Sequence, residues 1–377
     1  MDLAPTTPPA PRRRRWPKYV LLALTAAGLA VGLFVLRILW LAGSFRTITP
    51  HFAGRCQLID GPVGPEDVTI DETTGRAYIS ATDRRALAAG RAVPGAIWAY
   101  DLEASAGGAP ALVNLTPDAT LYLQPHGISL WVGEDNRRAL FVVNHPAPGN
   151  QWPTHTIEIF DVTDSGLVHR ATLTDPRLVM PNDLVAVGID RFYVTNTHKH
   201  TPGWSQTIET YLQLSGAEVL SYGVGGFRTA AQMLFPNGIN VSRDGRTVYV
   251  ASVTGLSVVV FDRDPRTDAL TRRAEIPVGS GVDNIEVDAD GALWIGSHPK
   301  LLAIQKHGLD PSVRAPGQVM RIGFDPGGQA HVEEVYLNDG TPVGGVSVAA
   351  RRGNRLLLGQ IFGRGFLDCE MNPGTGG

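Results

Sequence analysis

Pro236-Asn-Gly-Ile-Asn-Val-Ser-Arg-Asp-Gly-Arg-Thr-Val-Tyr-Val-Ala251 is the stretch that makes the rest of the chain readable. Apolar and polar residues alternate on both sides of Asp244-Gly245, a pair that accepts the positive φ of a tight β-turn, so the segment reads as a hairpin. The same phrase recurs five more times. It runs from Asp67-Val-Thr-Ile-Asp71 to Ala77-Tyr-Ile-Ser80, from Ile128-Ser-Leu-Trp-Val132 to Leu140-Phe-Val-Val-Asn144, and from Leu184-Val-Ala-Val-Gly188 to Phe192-Tyr-Val-Thr-Asn196. It returns from Ile285-Glu-Val-Asp288 to Leu293-Trp-Ile-Gly296, and from Val346-Ser-Val-Ala349 to Leu356-Leu-Leu-Gly359. Corresponding positions lie about 45–63 residues apart, enough for one four-stranded sheet each. A period of this size with β-only signals predicts a propeller, here of six blades. Isolated blades leave both faces wet, so the ring must close.

Composition agrees. The 377 residues are 43% hydrophobic and only 18% charged, with 43 Gly and 27 Pro, which excludes a disordered chain or a coiled coil. Net charge is −3, but residues 1–50 carry +6, leaving −9 on the remainder. An acidic body does not suit a nucleic-acid binder. Two cysteines exclude a disulfide-dense scaffold and a four-cysteine zinc site.

Residues 1–17 are rich in Pro and end near the block Arg12–Arg15; an uncharged apolar run follows from Tyr19 to Leu36 and resumes after Arg37. The run is long enough to cross about 30 Å of hydrocarbon. We read 1–17 as a cytoplasmic tail, 18–42 as a transmembrane signal-anchor, 43–370 as the propeller and 371–377 as a flexible tail. Ala42-Gly43-Ser44 offers a cleavage site in the alternative reading, a secreted chain with its leader removed. The arginine block stays inside, so the body is exported to the periplasmic or extracellular side. In that oxidising compartment Cys56 and Cys369, near the two ends of the propeller, are expected to pair, two buried thiols being the other reading.

Residues at one phase of a propeller repeat converge on one mouth of the central bore. Just upstream of the alternating strands stand Glu66-Asp67, His126-Gly127, Asn182-Asp183, Asn237-Gly238, Asp283-Asn284 and, in the last repeat, only Gly344-Gly345. Singly each Asn or Asp is an ordinary turn residue. Together, carboxylates and amides without thiolates make a hard-cation site that favours Ca²⁺. His126 and His145 fall in the second repeat, where a stacked pair could hold a general base, or each could serve a turn or packing role. His298 is placed near the same mouth; His155, His169, His198, His200, His307 and His331 are read as surface or loop residues.

The phrases Gly64-Pro-Glu-Asp-Val68, Gln124-Pro-His-Gly-Ile-Ser129, Val142-Val-Asn-His-Pro146, Asn182-Asp-Leu-Val-Ala-Val-Gly188, Phe235-Pro-Asn-Gly-Ile-Asn240, Val282-Asp-Asn-Ile285 and Gly296-Ser-His-Pro299 occur in that order. In these motifs the chain resembles the serum paraoxonase/arylesterase family over roughly residues 50–370. The resemblance implies a calcium-dependent six-bladed propeller that hydrolyses lactones and aryl esters, with two Ca²⁺ ions per chain. It implies that Glu66, Asn182, Asn237, Asp283 and Asn284 hold a catalytic ion, and that Asp67, Asp183 and the Ile128 carbonyl hold a structural one. His126 and His145 become a His–His dyad activating water, with Glu66 the other candidate base. Phe235, His298 and Thr197 are assigned to the substrate pocket. Thr197 stands where relatives often carry an acid, and the stretch from Gly203 to Leu214 is a shortened form of the family's active-site helix. No Gly-x-Ser-x-Gly elbow is present, which argues against a serine esterase. Two rival readings stand beside the small-molecule ester or lactone hydrolase: a non-enzymatic calcium-stabilised propeller for partner binding, and a gluconolactonase-like sugar-lactone hydrolase.

Overall fold

The computed structural model describes residues 16–91, 93–106, 112–117, 121–146, 155–372 and 374. The expected cytoplasmic tail therefore lies outside the described residues up to 15, and the expected C-terminal tail mostly does.

Six antiparallel sheets follow one another along the chain. Their innermost strands are Pro65–Asp71, Pro125–Val132, Pro181–Gly188, Pro236–Val241, Gly281–Val287 and Val346–Arg352. The hairpin phrase that repeats in the sequence is the first two strands of each blade, for example Pro236–Val241 against Thr247–Ser252. These second strands are buried almost throughout, because both faces of a blade meet a neighbouring blade. Outer strands such as Leu270–Pro277 lie largely in solvent and carry the charge.

The core is six apolar clusters, one at each blade-to-blade interface. Between blades two and three, Phe141, Val143 and Ile157 meet Leu184, Phe192 and Leu220. Between blades six and one, Val348, Leu357 and Phe366 meet Val68, Ile79 and Tyr100. That last interface closes the ring. It exists because the N-terminal strand Gly54–Val63 joins the sixth sheet as its outer member, beside Arg364–Met371. Cys56 stands directly opposite Cys369 in that pairing, and the two are joined in a disulfide. A short strand, His51–Phe52, extends the fifth sheet in the same way.

Helix Trp16–Leu41 belongs to a separate compact unit, residues 1–41. Its 24 residues Lys18–Leu41 are long and apolar enough to cross a membrane, at about 36 Å, and their side chains are mostly exposed.

The disulfide links residues 313 positions apart, so in the chain-entropy model it stabilises the fold by roughly 5 kcal/mol at most. Replacing both cysteines by Ser should lower the urea midpoint accordingly and leave the wild type's reduced-versus-oxidised electrophoretic shift absent. Two titratable thiols in the native wild type would contradict the pairing.

Candidate active site

All six inner strands break register at the same place. The break lies between Pro65 and Asp67, Pro125 and Ile128, Pro181 and Leu184, Pro236 and Ile239, Val282 and Ile285, and Val346 and Val348. A bulge re-aims the side chains it contains. Here it carries the polar pairs seen in the sequence. Glu66, His126, Asn182, Asn237 and Asp283 hold the first bulge position; Asp67, Gly127, Asp183, Gly238, Asn284 and Ser347 hold the second.

These bulges touch one another around the axis. Asp67 accepts from the Ile128 amide at 2.7 Å, and Asp183 accepts from the Ile239 amide at 2.8 Å. Asn284 donates to Glu66 Oε1 at 2.9 Å, and Ser347 Oγ donates to the Glu66 carbonyl at 2.6 Å. The two glycines make room for this. A Cβ on Gly127 would stand 2.4 Å from Asp183 Oδ1, and one on Gly238 would stand 2.3 Å from the Asp283 carbonyl. The bore therefore alternates acids with absent side chains, which is why Asp67 and Asp183 can reach across to the next blade. It is the Ile128 amide, donating to Asp67, that the structure engages. Ser347 was missed in the sequence because the last repeat starts with two glycines before it.

The donor set fits a divalent cation. Glu66 Oε2, Asn182 Oδ1, Asn237 Oδ1 and Asn284 Oδ1 are buried acceptors with no hydrogen-bond donor. Orphaned oxygens at Glu66, Asn182 and Asn237 in the first bulge position and at Asn284 in the second are costly unless something positive satisfies them. Among the described residues no group of three His, Cys, Asp or Glu gathers closely enough to hold a metal. Amides supply most of the oxygens here, which suits Ca²⁺ more than Zn²⁺. Electrostatics point the same way. Burial pushes the Asp67 and Asp183 carboxyls well above the usual range, helped by Glu66 beside the first and Asp67 beside the second. Burial also raises Asp283, though His298 Nε2 lies 2.7 Å from its Oδ2 and opposes the rise. For Glu66 burial is outweighed by His126, by Arg84 at 3.7 Å and by Asn284, which hold it down to about 2. Arg84 carries no signal in the repeat; it sits in the short helix Arg84–Ala88.

His126 Nε2 lies 3.5 Å from Glu66 Oε1, and its Nδ1 lies 3.0 Å from His145 Nε2. His145 Nδ1 in turn lies 2.7 Å from His155 Nδ1. His155 lies in the connection just before the third strand of blade two, Thr156–Thr163, a loop position as expected, but it is buried. The available signal was its place at the mouth-side end of a strand paired with the one before His145. His198 is a loop residue and buried, whereas His307 lies buried in helix Leu301–Leu309 instead of at the expected surface or loop position. His198 bridges Thr197, at 3.1 Å, and Thr210 of helix Trp204–Leu212, at 2.9 Å, and its ring meets Phe235 at 4.4 Å. Phe235 has φ +40, a strained value for a bulky residue, directly before Pro236-Asn237.

Gly127→Ala and Gly238→Ala should each destabilise the protein by about 1–3 kcal/mol in urea titrations, with Gly188→Ala, which meets only Arg191 at ordinary distance, close to neutral. Equal stability of all three would refute the crowding of the bore. Burial holds the His155 ring down to about 4, against about 6.5 when unfolded. The native state then binds fewer protons than the unfolded one between these values. Stability present above pH 6.5 is lost as pH falls towards 4, by up to about 3 kcal/mol. His155→Asn should flatten that part of the stability curve; an unchanged slope between pH 7 and 4.5 would show that the ring is not shielded.

Residues 55–371 match the family described as Arylesterase. The chain is 33% identical to serum paraoxonase/arylesterase 1 of Rattus norvegicus, over 87% of this chain and 92% of the relative. It is 31% identical to serum paraoxonase/arylesterase 1 of Homo sapiens, over 93% and 99%. Among solved structures it is similar to a calcium-binding protein, regucalcin, from Agrobacterium tumefaciens, with TM-score 0.52 and 17% identity over 85% of this chain and 93% of that one. That likeness concerns the fold alone. The conserved order of motifs, the six-bladed ring and these matches across most of the chain make it a member of the arylesterase family.

Proposed function

We propose that this arylesterase-family hydrolase cleaves carboxylic esters and lactones at one mouth of the bore, with calcium as its resident cation and His126 as the base. The observation that carries the reading is the set of four donorless buried oxygens in the bulges of blades one, three, four and five, beside a histidine row that reaches the Glu66 carboxylate. Glu66, Asn182, Asn237, Asp283 and Asn284 would hold the catalytic ion. Asp67 and Asp183, with the Ile128 carbonyl, would hold a second, structural ion whose charge offsets their mutual repulsion. When bound, the catalytic ion supplies Lewis-acid stabilisation of the negative charge that develops on the substrate carbonyl oxygen. The paraoxonase/arylesterase relatives support the chemistry, and the calcium-binding structural neighbour supports the metal.

The side chains supply the rest. His126 Nε2 accepts a proton from the attacking water, and His145 orients its ring through Nδ1. Burial and the neighbouring histidines push His145 well below its ordinary range, so it stays neutral and works as an orienting partner. Thr197, Phe235 and His298 shape the wall that receives the substrate. EDTA should abolish turnover in a panel of aryl acetates, aliphatic lactones and sugar lactones, and Ca²⁺ should restore it. His126→Gln should lower kcat at least 100-fold. If nothing in the panel is turned over with Ca²⁺ present, the hydrolase reading gives way to a binding role.

The apolar helix is proposed to anchor the chain in a membrane with the propeller outside the cytoplasm. The disulfide and the arginine block before the helix support that side. Alkaline carbonate should leave the protein in the membrane fraction, and its N-terminus should precede residue 42; a mature chain starting after Ala42 would establish cleavage instead.

A further inference from the structure

The bore has a second opening, at the end away from the bulges. There the last residues of all six inner strands enclose a well of about 330 Å³. Its wall includes Thr69, Ser129, Asn240 and Glu286, each from a different blade. Glu72 and Arg243, in the turns that follow two of the strands, flank the opening 3.6 Å apart.

Two sets of contacts cross the bore between blades one and five, which are not neighbours in the ring. Toward the bulges, Asn284 donates to Glu66 Oε1 at 2.9 Å and to the Glu66 carbonyl at 3.3 Å, and Ser347 of the intervening blade adds a bond of 2.6 Å to that carbonyl. Toward the well, Thr69 Oγ1 donates to Glu286 Oε2 at 3.4 Å, and Asn240 Nδ2 reaches Glu286 Oε1 at 3.5 Å. The second crossing is the weaker, because both of its bonds lie at the long limit. Asn240 is fixed elsewhere, since its Nδ2 also donates to the Ile285 carbonyl at 2.8 Å. Glu286, half-buried beside the well, is therefore the group free to move.

Asp67 stands between the two crossings. It follows Glu66 directly, and Thr69 lies two residues further along the same strand, on the same face and roughly 7 Å away. Asp67 and Asp183 are only 1% and 3% exposed, and the interfaces between blades are apolar. A cation bound to these two acids must then pass one crossing or the other. The mouth-side crossing has three bonds, two of them short. The crossing at the well has two long ones.

We propose that the well is the passage by which a divalent cation reaches and leaves Asp67 and Asp183, with Glu286 as its gate. Glu286 swings off Thr69 into the well, meets the hydrated ion with its carboxylate and returns with it to the level of Asp67. The hydroxyls of Thr69 and Ser129 stand beside this path and replace water as it is shed. Exchange of the deep ion is thereby separated from the mouth that receives substrate. The inference rests on the two-ion reading of the proposed function.

The test follows metal exchange, not turnover, in the full chain loaded with Ca²⁺. Mixed with excess fluorescent chelator, the wild type should release Ca²⁺ in two phases, and Glu66→Gln should remove the faster. Both native cysteines are joined in the disulfide, so Glu72→Cys takes a label at one place. A bulky maleimide there should slow the remaining phase about tenfold or more relative to the unlabelled variant. Glu286→Ala should quicken release and uptake together in that phase, again about tenfold, and leave the fast phase alone. Faster release with unchanged uptake would make Glu286 a ligand and overturn the gate. A slow phase indifferent to the maleimide but quickened by Asn284→Ala would put the passage at the mouth; the two-ion reading would survive and this inference would not. If the chain holds no Ca²⁺, or Glu66→Gln removes every phase, the two-ion reading falls and the passage falls with it.

Discussion

Four carboxylates, Glu66, Asp67, Asp183 and Asp283, are buried in the bulges of the inner strands, and the rest of the site is arranged around the cost of that. Backbone amides of adjoining blades meet Asp67 and Asp183, His298 meets Asp283, and Asn284 and Arg84 meet Glu66. The amides bonded to Asp67 and Asp183 carry no net charge, and burial leaves Asp67, Asp183 and Asp283 reluctant to ionise. A divalent ion reverses that balance, at the expense of protons released on binding. The blades are thus held at the axis by the same groups that would hold the metal.

Much of this was legible in the sequence because a propeller repeats its geometry. The alternating phrase around Asp244-Gly245 revealed the blade, and reading the residues just before each phrase revealed the ring of Glu66, Asn182, Asn237 and Asp283. Periodicity was the signal, and it failed where the period fails. Ser347 follows a pair of glycines in the shortest repeat, Arg84 lies in a helix between strands, and His155 sits behind a long connection. Arg84 and His155 share no phase with counterparts in other blades, so only the packed structure brings them to Glu66 and His145. Gly127 and Gly238 read as turn residues; their purpose shows only once the neighbouring blade's atoms stand where a Cβ would be.

The site also divides its labour by blade. Blades one and three to five contribute oxygens, whereas blade two contributes nitrogens, because His126 stands where the others carry acid or amide. The strained backbone at Phe235 belongs to blade four and the buried His198 to blade three, the blade that packs against the one carrying the histidine row.

The outer strand of the sixth sheet comes from residues 54–63, while its other three come from 346–371. During synthesis the beginning of the propeller must wait, unpaired along one edge, until nearly the last residue has emerged. Five blades stack progressively and the sixth is assembled from both ends of the message at once. A chain cut before residue 364 therefore leaves strand 54–63 without its neighbour and Cys56 without its mate.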